Sequence, residues 1–260
     1  MHGNRRRSHH AQGLRVSERT QDTLANLTIL QHKKGYRFGI DAVLLATDLA
    51  EIVGPRVAEL GAGQGAVSLA IATQFPNAEI LAIERQDGLF ELLEENVSTN
   101  QFAAQITCIQ ADIRALRDTR KDLAQTMDLV VFNPPFFAPG SGRLSPNQER
   151  REAHQTLHGG IPEFLEVSRW LLKPRGRIKA IAPPSKLAEF FGVCAVSDLG
   201  PESLRMVHAR AHDDAYLAEV VLRRDFQGEL VVMPALVVHE NHEFSPEVQA
   251  RLELQCQAQN

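Results

Sequence analysis

These 260 residues contain no long hydrophobic run and no patterned cysteine chemistry. No apolar stretch approaches the roughly 20 residues that a membrane-spanning helix requires, and the basic start Arg5-Arg6-Arg7 leads into no hydrophobic signal segment. A soluble, cytoplasmic chain with no membrane partner is the expectation. Cys108, Cys194 and Cys256 are odd in number and far apart, which argues against a disulfide framework and offers no zinc spacing. The ten histidines include His9-His10 and the pair His239/His242 but no HExxH, so they read as surface residues and no metal is expected. A general positive charge is missing too. The net charge is −4, and residues 1–20 hold five arginines against one glutamate, which leaves −8 on the other 240 residues. Phosphate contacts supply most non-specific nucleic-acid affinity, so an acidic body must meet any RNA through local basic patches.

What is present is enough apolar content, 43%, to fill one large core. Residues 1–20 are polar and basic and read as a disordered tail. Thr28-Ile29-Leu30 and Tyr36-Arg37-Phe38, on either side of Lys33-Lys34-Gly35, suggest a small hairpin. Asp41 stands where an N-cap would, before an apolar helix to about residue 52. From there strands alternate with helices: strand 57–60, helix 66–74, strand 79–84, helix 87–96, strand 105–109, strand 129–132, helix 161–172 and strand 177–182. That order predicts βαβ units and a parallel sheet with helices on both faces. A short helix at 187–191 precedes two late strands, 204–208 and 218–222, that suit an antiparallel edge.

Three motifs fall at the carboxyl ends of these strands. Glu59-Leu60-Gly61-Ala62-Gly63-Gln64-Gly65 is a glycine turn between a strand and a helix, where bare backbone and free N–H groups admit a ligand. Its last two glycines are two apart, not the three of the dinucleotide fingerprint. Glu59, Gly61, Gly63 and Gly65 are its candidate cofactor residues. Glu84, closing the next strand, can accept from both hydroxyls of an adenosine ribose. Asp112, after the third strand, combines a helix-cap position with a candidate contact to the cofactor's adenine. Glycines plus acid leave NAD and S-adenosylmethionine both open.

Asn133-Pro134-Pro135-Phe136, directly after the apolar strand 129–132, resolves that choice. Methylating a planar amine requires acceptors that hold its hydrogens and turn the nitrogen towards the donor, and alignment supplies the acceleration. The Asn133 side-chain carbonyl and the Pro134 backbone carbonyl are the two candidate acceptors. Pro134 and Pro135 stiffen the loop, and Phe136 offers a face for stacking a base. Asn133 counts on the cofactor side as well.

On these motifs the chain resembles class I S-adenosylmethionine-dependent amino-methyltransferases of the Asn-Pro-Pro-Tyr/Phe type. More narrowly, it resembles the bacterial tRNA1(Val) (adenine(37)-N6)-methyltransferase family. The segments carrying that narrower likeness are QHKKGYRFGIDAVLLA at 31–46, Arg150-Arg151-Glu152-Ala153-His154, and PALVVHE at 234–240 followed by FSPEV at 244–248. The resemblance implies a Rossmann-like α/β fold with a mostly parallel seven-stranded sheet, an antiparallel edge strand and helices on both faces. The chain divides into a disordered basic tail at 1–20, an N-terminal hairpin and helix at 21–55 packed on the core, and a methyltransferase domain at 56–260; the likeness covers about 22–250, nearly all but the tail. Gly61, Gly63 and Glu84 would hold S-adenosyl-L-methionine, with Asp112 at its adenine and Asp41 near its methionine end. A tRNA would meet Lys33, Lys34, Arg37, Arg143, Arg150 and Arg151, under a cover formed by 138–158. The alternatives are a guanine amino group in RNA, a protein glutamine amide, or a non-catalytic RNA-binding module that keeps the pocket.

Overall fold

The computed structural model describes residues 19–24, 26–33, 38–49, 51, 54–134 and 160–257. Strand β1 (Arg19–Leu24) pairs antiparallel with β2 (Leu27–His32). The hairpin therefore lies earlier than the sequence suggests: β2 pairs backwards into the stretch read as tail, and residues 34–37 are outside the described ones. The polar β1 gives little periodic signal, so its pairing is decided by what β2 docks on. Asn96 of α3 (Asp87–Thr99) and Asn100, which caps its C-terminus, imitate a neighbouring strand. Asn96 accepts from Leu30 N at 2.7 Å and donates to Leu30 O at 2.9 Å, and Asn100 does the same for Thr28 at 2.9 and 2.8 Å.

The remaining elements follow the expected alternation. Helix α1 spans Ile40–Ala46 and ends well before residue 52. Then come β3 (Arg56–Leu60), α2 (Ala66–Gln74), β4 (Glu79–Glu84), α3, β5 (Ile106–Gln110), the single turn α4 (Leu116–Thr119) and β6 (Met127–Phe132). After the undescribed stretch come α5 (Ile161–Leu171), β7 (Leu172–Ala182), α6 (Leu187–Cys194), β8 (Leu199–His208), β9 (Ala215–Arg224), the two-residue strands β10 (Val231–Val232) and β11 (Leu236–Val237), and α7 (Pro246–Gln257). The sheet runs β10-β8-β9-β7-β6-β3-β4-β5, with β11 also on β8. Strands β3 to β7 are parallel, and β9 is antiparallel to both β7 and β8. The sheet thus has the seven long strands expected, extended to nine by the two short ones along β8. The antiparallel strand is inserted beside β7, and β8 stands outside it.

Alternation along β6 divides the core. Leu129 and Val131 face α1 and α2, whereas Val130 and Phe132 face α5 and α6, all four fully buried. Each such side chain contributes about 1.5–3 kcal/mol by leaving water. The carboxyl ends of β3, β4 and β6 consequently open on one edge of the sheet, directly above this packed centre.

Candidate active site

The glycine turn has the backbone that only glycine adopts cheaply. Gly61, Gly63 and Gly65 have φ of +72°, +57° and +87°. The turn is tied to β4, where Gly61 N and Ala62 N both donate to Ile83 O at 2.9 Å. A side chain at Gly65 would drive a Cβ to within 2.5 Å of Leu93 Cδ1, whereas one at Gly63 would meet nothing within 4 Å among the described residues. Gly65 is therefore a packing glycine, and Gly63 leaves an open approach to the backbone.

Glu84 sits against that opening and is almost wholly buried. Its Oε2 accepts from Gly63 N at 2.9 Å, and its Oε1 accepts from Arg85 N and Gln86 N at 2.8 Å each. A carboxylate oxygen has two acceptor positions, so Oε2 keeps one for a ligand hydroxyl. Gln64 in the same turn is buried, and both polar atoms of its side-chain amide are without a hydrogen-bond partner among the described residues. An open glycine face, a carboxylate with remaining acceptor capacity and an unsatisfied amide together fit a polar nucleoside cofactor.

Glu59 lies behind the turn. It accepts from Ser68 N at 2.9 Å and from Ser68 Oγ, which ties β3 to the first turn of α2. Burial pushes its carboxyl up to about 8, against the Ser68 hydrogen bonds and with a smaller push from Glu84. The folded chain thus holds a proton that the unfolded chain releases above its ordinary value of 4.5. Stability from this group is full below 4.5 and is lost as pH rises towards about 8. The expected slope approaches ~1.4 kcal/mol per pH unit. Melting temperatures of wild type and Glu59→Gln across that window check this: the wild type should lose stability with rising pH more steeply than the variant.

Asp112 caps the 3-10 turn that follows β5, accepting from Arg114 N at 3.0 Å while the Arg114 guanidinium grips both of its oxygens at 3.0 and 2.6 Å. Those hydrogen bonds hold its pKa below the usual carboxylate value. Lys33 is exposed after β2. Pro135, Phe136, Lys34, Arg37, Arg143, Arg150, Arg151 and the loop 138–158 lie outside the described residues.

Asp41 is not the cap that its position in the sequence suggests. Gly39 occupies the N-cap of α1 and Asp41 stands in the first turn, a favourable place for a carboxylate near a helix N-terminus. From there it accepts a 2.5 Å hydrogen bond from Asn133 Nδ2, 92 positions away. A carboxylate can only accept, so the nitrogen end of the Asn133 amide must face Asp41. Asn133 Oδ1 is then presented on the other side of the amide, at the carboxyl end of β6.

Sequence reasoning missed two residues here. Lys179, buried on β7, donates to Leu44 O at 2.8 Å and Thr47 O at 2.5 Å at the far end of α1, and pairs with Glu219 at 3.3 Å. Its one signal is a lysine inside the apolar run 178–182. Asn96, besides holding β2, donates to Gln64 O at 2.9 Å and so braces the glycine turn from α3.

Among proteins of known kind, the chain is 28% identical over 213 residues to the tRNA1(Val) (adenine(37)-N6)-methyltransferase of Porphyromonas gingivalis, covering 76% of this chain and 82% of that one. It is 27% identical over 183 residues to the human MTRF1L release factor glutamine methyltransferase, covering 67% of this chain and 49% of that protein. The crystal structure of a predicted O-methyltransferase from Agrobacterium tumefaciens matches with a TM-score of 0.67 at 23% identity, over 83% of this chain and 96% of the other. The fold is that of class I methyltransferases. The model of the methyltransferase small domain matches residues 36–196, and the chain belongs to that family.

Proposed function

We propose that this chain transfers the methyl group of S-adenosyl-L-methionine to the exocyclic amino group of an adenine in tRNA, next to the anticodon, giving N6-methyladenine. The observation that carries the reaction type is the Asp41–Asn133 hydrogen bond, which orients a side-chain carbonyl at the strand end beside the glycine turn and Glu84. The adenine in tRNA is supported by the name of the Porphyromonas gingivalis relative and by the family likeness at 31–46.

On this reading Gly61, Gly63 and Gln64 line the cofactor, Glu84 takes its ribose through the remaining position on Oε2, and Asp112 stands at its adenine. Glu59 and Gly65 shape the turn from behind. When bound, the sulfonium would supply an electrophilic methyl group whose leaving group, a neutral thioether, needs no acid. Asn133 Oδ1 and the Pro134 carbonyl accept the two amino hydrogens, which draws the nitrogen lone pair out of conjugation and aims it at the methyl carbon. Positive charge builds on that nitrogen as its bond to the methyl carbon forms and the sulfur–methyl bond breaks, the two carbonyl dipoles with the Asp41 carboxylate behind them stabilise it, and one of the two held amino protons then passes to water. Pro135 and Phe136 stiffen the loop and stack the base, which an RNA loop presents already unstacked.

The human relative acts on a protein glutamine, an amide that the same pair of acceptors can hold. Incubation with a methyl-labelled donor separates the two. Label is expected in unmodified bacterial tRNA and not in an unmethylated peptide-chain release factor; the reverse distribution overturns the tRNA assignment.

A further inference from the structure

The residue at the start of β9 has no part in the motifs above. Opposite Val207 and His208 of β8, strand β9 supplies Leu217 and Ala215, so Tyr216 is an extra residue between them. A bulge of this kind frees a side chain from the alternation of its strand and re-aims it, and bulges gather beside active sites. Tyr216 is 39% exposed, while Ala218, the next residue inward on that alternation, is fully buried.

The sheet register places this bulge at the active edge. Phe132 pairs with Ala180, and Ala182 pairs with Ala218, so Asn133 follows the end of β6 where Tyr216 precedes the described pairing of β9 with β7. Only β7 separates the two strands, a lateral distance on the order of 10 Å. Burial first, and then the negative charge of Asp41, raise the pKa of the Tyr216 hydroxyl. The phenol therefore stays protonated at neutral pH and lies within reach of the field of the carboxylate that holds Asn133. A single exposed aromatic is ordinary. This one is displaced by a bulge at the carboxyl edge, near enough to Asp41 to feel its charge.

We propose that Tyr216 is an acceptor-side platform, its ring stacking the planar base whose amino group is held at Asn133. The inference rests on the nucleobase reading above and extends it to a residue across β7 from Asn133 on the same edge. Stacking is tolerant of which base it meets, so Tyr216 contributes affinity and orientation, whereas the choice of amino group stays with the acceptors at Asn133 and Pro134.

The test compares wild type, Tyr216→Phe and Tyr216→Ala with unmodified tRNA and S-adenosyl-L-methionine, alongside S-adenosylhomocysteine binding and melting temperature. Tyr216→Ala is expected to lower kcat/KM for tRNA about ten- to a hundredfold, mainly through KM. Tyr216→Phe keeps the ring and should stay within about threefold of wild type. S-adenosylhomocysteine affinity and melting temperature should not move in either variant. Unchanged kcat/KM in Tyr216→Ala, or equal defects in both variants, overturns the stacking role while wild-type activity on tRNA leaves the function intact. Wild-type protein that methylates no tRNA overturns both.

Discussion

Replacing Asn133 by alanine is expected to reduce kcat for methyl transfer by about a thousandfold while changing S-adenosylhomocysteine affinity by less than about tenfold. Donors and acceptors aimed at a developing charge contribute about 2.7–4 kcal/mol each when removed from a preorganised site. Asn133 provides such an acceptor directly after the fully buried Phe132 that ends β6, with its amide fixed by Asp41. Alanine removes the acceptor and leaves the Asp41 carboxylate without that donor. The glycine turn and Glu84 are built from β3 and β4, so the cofactor side should keep its shape. Single-turnover rates with saturating donor and RNA, set beside S-adenosylhomocysteine titration, separate the two effects. Retention of more than a tenth of the wild-type kcat would remove Asn133 from the chemistry.

Lys179→Ala is expected to cost about 3–5 kcal/mol of stability, the range for removing one partner of a buried ion pair. Lys179 Nζ bridges three acceptors: the carbonyls of Leu44 and Thr47 at the end of α1, and the carboxylate of Glu219 on β9. Burial lowers its pKa, and the Glu219 charge opposes that shift. Arg251 also reaches Glu219 at 3.0 Å, so the glutamate keeps one cation while both carbonyls lose theirs. For a domain of this size the melting temperature should fall by on the order of 10 °C. Lys186→Ala provides the contrast, because its pair with Glu189 is exposed and worth about 1 kcal/mol or less. A Lys179→Ala shift no larger than that of Lys186→Ala would show that the α1 clamp does not stabilise the fold. Because α1 carries Asp41 at its other end, the same variant should also slow methyl transfer at temperatures where it remains folded.

The parts legible in the sequence are those whose signal is local. Helix α2 at 66–74 and strand β4 at 79–84 have the boundaries that their apolar runs and the Pro76-Asn77 stop suggest. The sheet with its antiparallel late strands follows from the strand–helix order. Less legible elements depend on distant partners. Polar β1 is a strand because Asn96 and Asn100 dock its neighbour β2. Strand β7 begins immediately after α5, through the segment that reads as a helix-ending turn, with Arg175 at φ +63°.

The candidate site divides the same way. Gly61, Gly63, Gly65 and Glu84 form one turn-and-acid unit that sequence spacing describes well. Asp41 looks like a helix cap from its neighbours, and only the fold brings it to Asn133. Tyr216 carries no motif at all, since a bulge is a mismatch between two strands and is invisible in either one alone.

On the proposed function, the amine held at Asn133 is the N6 amino group of an adenine beside the anticodon. Mass spectrometry of nucleosides and anticodon-loop fragments, from unmodified tRNA treated with the protein and S-adenosyl-L-methionine, tests it most directly. N6-methyladenosine confined to that fragment, and absent with Asn133→Ala, is the predicted result. Methyl groups on guanine, or tRNA left unmethylated by an enzyme that methylates a glutamine amide, would contradict it.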